Sequence, residues 1–198
     1  MGEKEADDFS LLNIIHAVSK KDLSCAIELS GLMIARLNQG SASVVASELL
    51  DRTIVTRLYL MTRTSEALDS EVLLAQSRIV KSGEARSNCA LMAWNSGDSQ
   101  ASKEKALVWY GVALSLLDPN DTGNAVSLLE KQAICHVALK NWADAREAGL
   151  AVARLAGKFD VLLYVEVAEG ETGRVRGDVV YDLLSKIGGC KWELLVSL

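Results

Sequence analysis

The sequence predicts an all-α fold built as a chain of helical hairpins, and three observations carry that prediction. The 198 residues contain a single proline, far below the usual share of about 5%. Proline interrupts helices and sheet ladders alike, so its scarcity favours long helices joined by tight polar turns. Apolar residues recur at helical spacing along most of the chain, with no strand pair between them. Aromatics make up 5% of the chain and apolar residues 49%, so the core must be mostly Leu, Val, Ile and Ala.

The elements follow in order. Asp7 or Asp8 is placed to cap a first helix carrying Leu11, Leu12, Ile15 and Val18 on one stripe. After the turn Lys20-Lys21-Asp22, a second helix carries Leu23, Ile27, Leu29, Met33, Ile34 and Leu37. Gly40 ends it and Ser41 offers the next cap. Helices are then predicted over 42–62 and over 66–81, the second stopping at Ser82-Gly83. The next, over 85–95, is broken by Asn95-Ser96-Gly97-Asp98, and another spans 101–117 before the turn Asp118-Pro119-Asn120-Asp121. Residues 122–139 and 142–156 form a pair split by Lys140-Asn141, and helices over 159–169 and 174–187 close the chain. With no internal linker, residues 1–198 read as one helical repeat domain.

Composition excludes several classes. The formal net charge of −5 comes from scattered residues, and no run of Lys or Arg exceeds two, so the basic footprint of a nucleic-acid binder is missing. Cys25, Cys89, Cys135 and Cys190 stand far apart without a CxxC pair, which reads as buried, reduced thiols in an intracellular protein. The start, MGEKEADDFS, is acidic and polar rather than a signal peptide, and Ala6 stands where a myristoylation signal needs Ser or Thr. No apolar run reaches the length that spans a bilayer.

The stretch AICHVALKNWADAREAGL, residues 133 to 150, suggests a repeat. A tetratricopeptide (TPR) unit is a helix–turn–helix of about 34 residues. It carries small residues where its two helices touch and bulkier ones in the groove between neighbours. With Ala133 and Ala145 as the small contact residues, His136 and Trp142 take ring positions and Val152 an apolar one; Gly149 departs, standing where a ring is usual. The same frame fits partly with Ala26 as the second small residue, which puts Ile14 at the first, Ala17 at a ring position, and Leu23 and Met33 in the groove. It fits partly again with Ala106, Tyr110, Ala113 and Pro119. The predicted architecture is therefore a TPR-like solenoid, a right-handed superhelix of antiparallel helix pairs, with an irregular helical bundle as the alternative.

Within 88–170 the likeness becomes more particular. The segment beginning NCALMAW holds Asn88, followed by Ala106, Trp109, Tyr110, Ala113, Leu114, Leu116 and Leu117, then Ala133 and Cys135, then Ala145 and Ala148, and finally Glu169-Gly170. This pattern resembles the Spo-twenty-two and Zip-four family of meiotic crossover proteins, whose core is a TPR-like superhelix. Ser87 stands where that family commonly has tryptophan, and the following loop is longer. Family members are usually several times longer, so the resemblance implies a fragment or short form. It also implies a nuclear, chromosome-associated role in synapsis and crossover formation, with partners among synaptonemal and crossover proteins. The alternative is a general TPR adaptor in the cytoplasm.

Catalytic constellations are not read. His16 and His136 are the only histidines, and Cys135-His136 lacks two further ligands for zinc, so His136 reads as a packed, hydrogen-bonded groove residue. Gly170-Glu171-Thr172-Gly173 matches neither phosphate-loop pattern and reads as a helix–helix turn. Arg176-Gly177-Asp178 reads as a chance tripeptide. Trp94, Trp109, Trp142 and Trp192 read as core wedges, with Trp94 and Trp192 the more exposed. The expectation is a non-catalytic scaffold without cofactor or metal, binding no nucleic acid, membrane or small-molecule substrate. In the repeat unit built on Ala133, the groove positions are Ser127, Glu130, Ile134 and Val137. That mixed apolar and weakly acidic set suits a basic or amphipathic protein segment. The apolar tail 192–198 reads as a truncated end or one covered by a partner.

Overall fold

A computed structural model describes residues 3–39, 44–64, 68–170 and 177–186. The described residues form ten α-helices and no strand: α1 Glu3–Ser19, α2 Leu23–Asn38, α3 Val44–Thr62, α4 Ser70–Ser77, α5 Gly83–Asp98, α6 Lys103–Leu116, α7 Thr122–Ala138, α8 Trp142–Ala156, α9 Asp160–Glu169 and α10 Gly177–Lys186. The predicted all-α class holds. Gly40 and Ser41, the residues 171–176, and the tail with Cys190 and Trp192 lie outside the described residues.

Chain contacts divide the molecule into two compact units, Met1–Ser99 with Gly111–Asp118, and Gln100–Tyr110 with Pro119–Leu198. In the first unit α1 packs on α2, α2 on α3, α3 on α4 and α4 on α5, and α3 also touches α1 and α5. In the second, α7 packs on α8, α8 on α9 and α9 on α10, with α7 also against α9. Sequence neighbours thus pair among α1–α5 and among α7–α10, and in each unit alternate helices meet as well.

Polar turn chemistry sets most boundaries. Asp22 caps α2 by accepting the Cys25 N–H at 3.0 Å, and Asp121 caps α7 by accepting the Asn124 N–H at 3.2 Å. Three helices depart most from the sequence reading. α1 already runs from Glu3, so Asp7 and Asp8 fall inside the helix rather than at its cap. α4 stops at Ser77, several residues early, because the Lys81 and Ser82 amides are taken by the Asp51 side chain of α3. α5 continues through Asn95–Asp98 because Ala85, Cys89, Ala93 and Gly97 form one buried stripe at four-residue spacing that extends to the helix end.

The first unit is cored by Ile15, Met33, Leu49, Ile54, Leu58, Leu73 and Cys89, all fully buried. In the second, Val137, Ala145 and Val165 form a buried cluster against which Trp142, Tyr164 and Ala168 pack. Ala133 and Ala145, the small residues of the repeat frame, are both 0% exposed. The departure at Gly149 has a local reason: a Cβ there would come within 3.2 Å of the Leu162 Cα, so α9 occupies the space a ring would need. The frame laid on α1 does not hold. Ile14, assigned to a close contact, is 51% exposed, and the neighbouring Ile15 is the buried one.

Candidate functional site

α3 presents Glu48, Asp51, Arg52, Val55 and Thr56 at spacings of three and four, which places them on one helical face. That face, with Leu12, Asn13 and His16 of α1 and Ser82, Glu84, Ala85 and Asn88 at the start of α5, lines a cleft of about 600 Å³. The three helices are alternate members of the chain.

Asp51 fixes the geometry. Although nearly fully buried, its carboxylate accepts N–H bonds from Lys81 at 3.1 and 3.2 Å and from Ser82 at 2.7 Å. Ser82 in turn caps α5, its hydroxyl accepting the Ala85 N–H at 3.4 Å. The negative charge thus sits at the amino end of α5, where the helix dipole favours it, and locks the start of α5 against α3. Burial, and secondarily the nearby Asp51 charge, push the Cys89 thiol up to about 11. Cys89 is therefore a protonated core residue rather than a nucleophile.

Around that anchor the polar lining is open. Glu48 and Arg52 pair at 2.7 Å, more than half exposed, a contact worth roughly 0–1 kcal/mol. The side chains of Asn13, His16, Glu84 and Asn88 are exposed and make no hydrogen bond or ion pair with any described residue. No hydrogen bond joins His16 to the cleft hydroxyls of Thr56 and Ser82. The arrangement offers amides, charge and an apolar floor of Leu12, Val55 and Ala85, which is chemistry for holding a polar chain.

The four groove positions read from the sequence lie on α7, in the other unit, and they divide between surface and core. Ile134 is 49% exposed. Ser127 is half-buried and donates to the Gly123 carbonyl at 3.2 Å, and Glu130 lies 3.6 Å from the Lys158 ammonium. Val137 is not at an open groove: it is four residues from the fully buried Ala133, on the same face, and packs on Ala145 and Val165. His136 is packed as expected, but its buried Nδ1 has no hydrogen-bond partner and stands 3.8 Å from the Asp144 carboxylate. Among the described residues no group of three His, Cys, Asp or Glu side chains could hold a metal ion, and no helix is long and apolar enough to cross a membrane.

The other concentration of buried charge in the second unit joins two helices. The Arg146 guanidinium of α8 donates to Glu166 of α9 at 2.6 Å and pairs with Glu169 one turn further on. Both carboxylates are buried, so this is a fastening between α8 and α9 rather than an open site. The α1–α3–α5 cleft is not marked by any motif in the sequence, yet one signal points to it. Asp51 sits in the apolar run Leu49-Leu50-Asp51-Arg52-Thr53-Ile54, an acid in a core stripe that needs partners from elsewhere in the fold.

No family model, curated protein or solved structure matches the chain.

Proposed function

We propose that this chain is a non-catalytic scaffold of the TPR-like kind, a right-handed array of helical hairpins that holds a segment of another protein. One observation carries the reading: among the described residues the cleft is lined by α1, α3 and the start of α5 with its cap Ser82, every second helix, as happens when stacked hairpins turn their first helices to a common concave side. Support also comes from the packing of alternate helices within each unit and from the small buried pair Ala133 and Ala145. Such surfaces take extended or helical segments of a partner. Neither an enzymatic reaction nor a cofactor enters this proposal.

The finer reading rests on the resemblance of 88–170 to the Spo-twenty-two and Zip-four family. On that reading the scaffold works in the nucleus, on meiotic chromosomes, and its partners are crossover and synaptonemal proteins. A tagged pull-down from meiotic and from vegetative cells, read by mass spectrometry, tests both levels. Enrichment of crossover proteins in the meiotic sample alone is the expected result. The same cytoplasmic partners in both samples would remove the meiotic role and leave a general adaptor. Retention of no protein from either would sink the scaffold reading itself.

A further inference from the structure

We draw no further inference here: the strongest candidate, the half-buried Arg57 guanidinium that α3 lays against Gly31 of α2, with its buried Nε left without a hydrogen-bond partner among the described residues, is a single side chain, and nothing in the structure shows what would cover it.

Discussion

Cys89 shows how one side chain can couple core packing to solution conditions. It is 0% exposed, and the Asp51 carboxylate nearby adds to the effect of burial, so the thiol titrates at about 11 rather than at the ordinary value of 9.0. A thiol is neutral when protonated, and its raised value means that the folded chain keeps a proton the unfolded chain gives up. The associated stability is fully present below pH 9 and is lost as the pH rises toward 11. The loss is on the order of 2 kcal/mol. Urea midpoints at intervals across this range should therefore fall more steeply for the native chain than for Cys89→Ala. Lysines and tyrosines titrate there too, but they are common to both proteins and cancel in the comparison. Parallel curves would show that Cys89 ionises as easily folded as unfolded. The sequence shows a cysteine in a helical stripe, which suggests burial. It cannot show Asp51 beside it, because that neighbour comes from another helix.

At the scale of an element, the α7–α8 hairpin is the best specified piece of the molecule. Its turn closes with the Lys140 N–H donating to Val137 and the Asn141 N–H donating to His136, both at 2.9 Å, the paired bonds of a Schellman stop. Such a stop needs one residue in the left-handed region, and here it is Lys140, at φ 60°. The comparable position after α8 is Gly157, at φ 66°, where no Cβ is in the way. A side chain in that region costs about 1–2 kcal/mol, partly offset because glycine loses more freedom on folding. Lys140→Gly is expected to stabilise the chain by a few tenths to about 1 kcal/mol, and Gly157→Ala to destabilise it by about 1 kcal/mol. Thermal melts of the two variants check both signs. A lower melting temperature for Lys140→Gly would mean that the lysine side chain contributes more at the turn than its backbone strain costs. The turn itself is legible as Lys140-Asn141 between two periodic stretches. Its geometry is not, because the glycine that usually announces such a stop is missing.

Across the whole molecule, the helices are legible wherever burial follows a regular stripe and misplaced wherever a distant residue sets the boundary. α7 and α8 fall within a residue of their predicted limits because the Asp121 cap of α7 and the stops at Lys140 and Gly157 are local. α4 is shorter than its periodicity predicts because its end is fixed by Asp51, some thirty positions earlier in the chain. The cleft escapes a sequence reading for the same reason, since its walls come from three separate stretches of sequence. The repeat register can be tested on the same footing. Ala145 is fully enclosed in the cluster with Val137 and Val165, so Ala145→Trp should overpack it and cost about 1–3 kcal/mol. Ile14 occupies the small-residue position when the frame is laid on α1, yet it is half exposed, so Ile14→Trp should change stability by no more than about 0.5 kcal/mol. Chemical denaturation of the pair reads this contrast directly. Equal and large losses would restore the frame on α1 and require Ile14 to be enclosed. Equal and small losses would show that Ala145 does not hold the close contact assigned to it. The expected contrast follows from burial alone: Ala145 is enclosed in the α7–α8 hairpin, whereas on α1 it is Ile15, not Ile14, that is turned to the core.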